Sequence, residues 1–179
     1  MKYTEKYVPD GIDLIGSIIL LAPIARLIAT GLTPVVNNTL IKIGDIIQSS
    51  TDTNPLIMGI VLGGIITVVG TAPLSSMALT ALLGLTGAPM AIGAMAAFSS
   101  AFMNSALFHR LKLGDRKSTI SVGIEPLSQA DIVSANPIPI YVTNFFGGAI
   151  AGIIIAWSGM INNATGTATP IAGFLVMFG

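Results

Sequence analysis

The chain has 179 residues, 53% hydrophobic and only 9% charged, with zero formal net charge and a mean hydropathy of +0.84. Ordinary soluble domains carry about 25% charged residues, so the composition excludes a soluble globular domain, and the balanced charge leaves no footprint for nucleic acid. With no cysteine and a single histidine, His109, the chain offers no disulfide, no thiolate metal site, no cysteine nucleophile and no multi-histidine centre; no cofactor or metal is expected.

Charge is missing in long blocks. From Thr53 to Phe108, about 56 consecutive residues, there is no Asp, Glu, Lys, Arg or His, and a second block runs from Ile132 to Gly179. Each is long enough for two passes at about 20 residues per transmembrane helix. The chain is therefore read as living in a lipid bilayer, and function is sought in the few polar residues held inside these blocks.

The first 13 residues, MKYTEKYVPDGID, hold Glu5, Asp10 and Asp13. They lack the basic region and small-residue cleavage site of a signal peptide. Ile12 to about Leu32 reads as the first membrane segment, interrupted by Pro23 and Arg26. Arg26 fits either a side chain snorkelling to an interface or a charge facing a polar cavity. Thr33 to Gln48 reads as a separate amphipathic helix beginning at Pro34, with Val36, Leu40, Ile41, Ile43, Ile46 and Ile47 against Asn37, Lys42 and Asp45.

Asn54-Pro55 opens a membrane helix to Gly70, with Gly59 and Gly63 as a small-xxx-small face for close helix contact. Thr71-Ala72-Pro73 breaks it, and Leu74 to Leu85 is a helical piece too short to span. Gly87-Ala88-Pro89 punctuates again before a full-length helix, Met90 to Leu111, whose Ala, Gly and Ser stripe predicts burial among other helices. Asn104, Ser99, Ser100 and Ser105 on it either line a polar path or fill close contacts. Arg110 to Lys117, RLKLGDRK, is the only dense charge cluster. It reads as a cytoplasmic loop by the positive-inside rule, with docking of a cytoplasmic partner as the functional alternative. His109 beside it is either an interface residue or a proton or substrate contact, since imidazole titrates near neutrality.

Ser118 to Pro139 is too polar and proline-broken for a spanning helix and too apolar for a solvated loop. It predicts a re-entrant segment, in which irregular backbone reaches membrane depth only where protein or a water-filled cavity satisfies it. Glu125, in Gly123-Ile124-Glu125-Pro126, is the sharpest candidate for function. A carboxylate there can accept hydrogen bonds from vicinal hydroxyls of a sugar or polyol, while Pro126 frees nearby backbone groups; the plainer reading is a helix cap at an interface. Gln129, Asp131 and Asn136 lie in the same stretch as secondary candidates. Ile138 to Met160 is another spanning helix with a second close-packing face at Gly148 and Gly152, and Asn144 inside it suits either the site or a helix–helix hydrogen bond. Asn162 to Thr169 is a polar turn, and Pro170 to Gly179 begins a further apolar element. Ending in apolar sequence, the chain is expected to be a fragment or half of a larger transporter, with residues 1–179 forming a single membrane domain. There is no P-loop, no G-x-S-x-G, no H-E-x-x-H and no paired-carboxylate metal motif, so self-contained catalysis has no support.

The Gly123-Ile124-Glu125-Pro126 element resembles the G-[ITV]-x-E-P signature of enzyme IIC membrane permeases of the bacterial phosphotransferase system, with one residue fewer between Gly and Glu. Asn136-Pro-Ile-Pro-Ile leading into Phe146-Gly-Gly-Ala-Ile-Ala-Gly is similar to the stretch after the signature in those permeases. Gly166 to Gly179 resembles a Gly- and Pro-interrupted segment near their end. Asn54-Pro55-Leu56-Ile57-Met58-Gly59 and Thr71-Ala72-Pro73-Leu74-Ser75-Ser76 resemble elements of their C-terminal half, so the likeness covers most of residues 40–179. The resemblance implies an all-α polytopic integral membrane bundle of four to six segments in the bacterial cell membrane, one segment re-entrant. It implies a carbohydrate permease working as a homodimer, with the substrate held by Glu125 and moved between leaflets; beside it, the reading of the residues has Asn136 and His109 bordering the pocket. Phosphate would come from a separate cytoplasmic phosphocarrier, docking on the Arg110–Lys117 loop. Two other readings stand beside it: an ion-coupled transporter of another solute using Glu125 or Asp131, and a non-transporting membrane regulator.

Overall fold

The computed structural model describes residues 12–72 and 75–178. All its regular elements among these residues are helical: α1 (Ile12–Thr53), α2 (Pro55–Thr71), α3 (Ser76–Leu82), α4 (Gly87–Leu111), α5 (Arg116–Ile124), a 3₁₀ turn (Pro126–Gln129), α6 (Ala130–Ala135), α7 (Pro137–Ser158) and α8 (Ala172–Val176). The chain clusters into two compact units, Met1–Thr39 and Leu40–Gly179.

The first unit contributes the N-terminal part of α1, whose Leu21, Ile24, Leu27, Ile28 and Leu32 are exposed. The break expected at Thr33 does not occur. α1 runs through both Pro23 and Pro34 as one helix of 42 residues. Proline removes one N–H, so Pro34 leaves the Thr30 carbonyl without its usual partner; in the turn before it Thr30 Oγ1 donates to the Arg26 carbonyl at 2.8 Å and Thr33 Oγ1 to the Ala29 carbonyl at 2.7 Å.

The second unit is built on α2, α4 and α7. Pro55 occupies the first turn of α2 and Pro137 that of α7, where a missing N–H costs nothing. α7 ends at Gly159 with φ 70°, its N–H returning to the Ile155 carbonyl at 3.2 Å, the left-handed cap that glycine favours. The close-packing faces read from the sequence meet one another. A Cβ on Gly59 would come within 2.6 Å of the Gly152 carbonyl, and one on Gly63 would collide with the Gly148 carbonyl. Gly59 pairs with the later glycine and Gly63 with the earlier, so α2 and α7 are antiparallel. α4 is also antiparallel to α7, since Asn104 bonds Asn144 while Met95 and Ile154 border the same groove.

Between lipid-soluble faces, association rests on backbone approach and packing rather than on a hydrophobic drive. α4 supplies small buried residues for it, Ala91, Ala94, Ala96 and Ala97, packed with Ile66, Met90 and Ile155, and Ala101 further along. A second cluster joins Phe108, Val122, Val133 and Ile140 from α4, α5, α6 and α7. Outward, α7 shows an i, i+4 apolar stripe of Ile138, Val142, Phe146, Ile150 and Ile154, with Trp157 86% exposed near its end. That stripe suits hydrocarbon, with the indole at an interface.

Among the described residues two helices are long and apolar enough to cross a membrane, α4 with 25 residues and α7 with 22, while α2 with 17 is shorter. At 1.5 Å per residue α4 and α7 are roughly 37 and 33 Å long, against a hydrocarbon core of about 30 Å.

Candidate functional site

Three interruptions in the helices converge. The stretch Ser118–Pro139 holds most of α5, the 3₁₀ turn, α6 and the first residues of α7. Asp115 caps α5 by accepting from the Ser118 N–H at 2.8 Å, and α5 then runs back along α4. Ser105 Oγ donates to the Thr119 carbonyl at 3.0 Å, and Gly123 lies one turn further along beside Ala101. Glu125 ends α5, Pro126 denies further α-helical bonding, and the chain returns through the 3₁₀ turn and α6 to Val133, which packs with Phe108. The result is a hairpin with Glu125-Pro126 at its tip.

From the other end of α4 come two more interruptions. α2 stops at Thr71, and α3, capped by Ser75 accepting from the Ala78 N–H at 3.2 Å, returns along α4 until Thr80 lies beside Gly93. After α7 the chain meets the start of α4, the Asn162 N–H donating to the Gly87 carbonyl at 3.0 Å, and continues to Ala168, whose carbonyl accepts from Ser76 Oγ at 2.7 Å. Phe174 of α8 then stacks on Phe98 of α4 at 4.3 Å.

These tips border a partly open pocket of about 90 Å³ lined by Gly70, Ser75, Ser76, Ala97, Ser100, Glu125, Pro126, Thr169 and Pro170, among others, with Glu125 and Ser75 exposed and Ser100 buried. Ala97 and Ser100 bracket the midpoint of Gly87–Leu111. Among the described residues Glu125 is the only charged one in the lining, with Ser75, Ser76, Ser100 and Thr169 supplying hydroxyls. Glu125 does act as a cap: its Oε1 accepts from the Leu127 N–H at 3.3 Å. Capping uses one oxygen, and among the described residues the second has no protein donor, so the carboxylate can do both jobs. Chemically the cavity offers an acceptor-only anion and four hydroxyls, of which Ser76 and Ser100 already donate to the Ala168 and Ala97 carbonyls and are left as acceptors, a match for the hydroxyl donors of an uncharged polyhydroxy compound.

The other candidates lie elsewhere. Gln129 donates to the Ser128 carbonyl at 2.8 Å, Asp131 is exposed in the first turn of α6, and Asn136 donates to the Ile132 carbonyl at 3.0 Å. His109 borders a separate surface groove with Lys112, Asp115 and Arg116. There the Ser118 N–H, and next its hydroxyl, hold the Asp115 carboxyl below the ordinary carboxylate range. Ser99 faces the groove between α4 and α7.

Asn104 and Asn144 form a buried chain across three helices. Asn144 Nδ2 donates to Asn104 Oδ1 at 2.6 Å and to the Ile140 carbonyl at 2.9 Å, and Asn104 Nδ2 donates to Thr71 Oγ1 at 3.1 Å. Thr71 Oγ1 donates on to the Thr67 carbonyl at 2.8 Å. Asn144 Oδ1 is buried and finds no donor among the described residues, an arrangement costing about 1–3 kcal/mol. Ser75, Ser76, Thr71 and Thr169 are the functional candidates that sequence reasoning missed. Their available signal was the proline close after each tip, in Thr71-Ala72-Pro73, Glu125-Pro126 and Thr169-Pro170.

Over residues 1–179 the chain matches the family described as Phosphotransferase system, EIIC. No curated protein and no solved structure matches it.

Proposed function

Since the chain belongs to the EIIC family of the phosphotransferase system, the membrane permease component of carbohydrate uptake, we propose that the cavity at the middle of α4 is its carbohydrate site. The observation that carries this is the meeting of three interrupted segments around one carboxylate, Glu125, with the hydroxyls of Ser75, Ser76, Ser100 and Thr169 set among apolar residues such as Met77, Ala97 and Leu127. Half-helix ends and freed backbone groups at mid-membrane are how transporters bind polar solutes in lipid. Glu125 accepts two sugar hydroxyls, and Ser75, Ser76, Ser100 and Thr169 complete the ring of partners. On this reading the Glu125 hairpin is re-entrant from the side of the basic loop, and the Ser75 and Thr169 tips enter from the other.

Ligand pockets are ordinarily about 300–1,000 Å³, so a pocket of about 90 Å³ is too small to take up a hexose as it stands. Sugar entry requires the tips to separate, which hairpins joined to the scaffold at one end can do without unpacking α2, α4 and α7. The bilayer spans include α2 and α1 as well as α4 and α7, making the protein multi-pass in the bacterial cell membrane. It works as a homodimer, and a cytoplasmic phosphocarrier docks on the Arg110–Lys117 loop to supply phosphate.

The test is thermal shift of the detergent-purified protein with a panel of hexoses and hexitols, wild type against Glu125→Gln. Glutamine keeps an oxygen for the Leu127 N–H, so the cap survives and only the charge is lost. A sugar should raise the wild-type Tm and have little effect on the variant. A sugar that stabilises both equally removes Glu125 from the site, and no shift with any sugar removes the carbohydrate assignment of the cavity.

A further inference from the structure

The hydrogen-bond chain Asn144–Asn104–Thr71 ends on the last residue of α2, next to Gly70 in the cavity wall. As an adhesive between α2 and α7 it is redundant, because those helices already touch backbone to backbone at Gly59–Gly152 and Gly63–Gly148. It acts where the glycine faces do not reach. The last carbonyls of a helix have no partner from the next turn, and the C-terminal end of α2 leads straight into the interruption before Ser75.

The bond direction is determined throughout. Both Asn144 amide donor bonds point at acceptors, so a flipped amide would set oxygen against oxygen at Asn104 and Ile140. Asn104 must then present its own N–H to Thr71, and the Thr71 hydroxyl must donate to Thr67. Thr71, Asn104 and Asn144 are all fully buried, at 0% exposure.

We propose that Thr71 and Asn104 are positioning residues for the carbohydrate site. Their bond pins the end of α2 to α4 so that Gly70 and Ser76, whose side chain lies within 3.2 Å of a Cβ placed on Gly70, form a wall of the cavity. This rests on the reading that the cavity binds carbohydrate.

The experiment compares Thr71→Val, which keeps shape and loses the hydroxyl, with Thr71→Ser, which restores it, and runs Glu125→Gln beside them. The probe is whichever hexose or hexitol shifts the wild-type Tm most, with affinity taken from titration and KM and Vmax from uptake into vesicles. Thr71→Val should weaken affinity and raise KM about tenfold with Vmax little changed, and Thr71→Ser should recover wild-type values. A Thr71→Val protein that loses Tm but keeps its affinity makes the chain mere glue and overturns the proposal. If Glu125→Gln abolishes binding while Thr71→Val leaves it intact, the site stands and the positioning role falls. If neither variant alters binding, or no sugar binds the wild type, the cavity assignment fails and takes this proposal with it. Should Thr71→Val not fold, hydrogen exchange on the wild type decides: the sugar should slow exchange at Gly70 to Ala72, and unchanged exchange there overturns the pinning.

Discussion

Glu125 illustrates how one residue type at a broken helix end serves local structure and function together. Its carboxylate caps the 3₁₀ turn through a single oxygen, and proline next to it removes the N–H that would continue α5. The proline is visible in four letters of sequence, whereas the cap is one of two readings they allow. Asp115 is a second capping carboxylate among the described residues, and its depressed pKa makes a sign-definite prediction. A carboxyl held below its unfolded value stabilises the fold above the unfolded pKa and loses that contribution as pH falls through the folded pKa. Asp115→Ala should therefore lower Tm at neutral pH, and the gap to wild type should close on acidification. A gap that is constant with pH would show that the charge is irrelevant to the cap. Lys112 sits at the C-cap of α4 with φ 53°, a position that disfavours a side chain by roughly 1 kcal/mol. Lys112→Gly should raise Tm slightly in a melting scan.

At the scale of elements, the glycine faces decide how close α2 and α7 come. Gly152→Ala would place a methyl against the Gly59 carbonyl, where backbone rather than a flexible side chain must move. A loss of about 1–3 kcal/mol is expected, as for overpacked interiors, read as a lower midpoint in thermal or denaturant unfolding. Gly31→Ala is the control. A Cβ at Gly31 meets nothing within 4 Å, so the helical preference for alanine, about 1 kcal/mol, should leave stability equal or higher. Each glycine pair was readable as a packing face from its four-residue spacing. That the two faces are partners was not, because spacing along one helix carries no information about which other helix covers it. Proline was equally ambiguous: Pro34 lies within α1 while Pro126 comes just after the end of α5. What separates them is the course of the chain, which continues as helix past Pro34 but reverses along α4 after Pro126.

At the scale of the second unit, antiparallel α4 and α7 with the basic loop after α4 predict a topology. The chain has no cysteine, so single cysteines report without background. Lys117→Cys should react with an impermeant maleimide only in inside-out vesicles, and Ile161→Cys only in right-side-out ones. Labelling of both from one side would contradict the crossing of α7. The membrane environment, the helical class, the family and Glu125 as a candidate were all determined by sequence alone, because charge depletion, proline and a short signature are local properties. The tertiary structure decided which candidates meet. It gathered Glu125 with Ser75, Ser76 and Thr169, placed His109, Gln129, Asp131 and Asn136 outside the cavity, and joined Thr71 to Asn104 and Asn144. The physical reason is that a hairpin's tip is placed by the helix it folds back along, here α4, through contacts between residues dozens of positions apart. No periodicity in the sequence records where such a reversal stops.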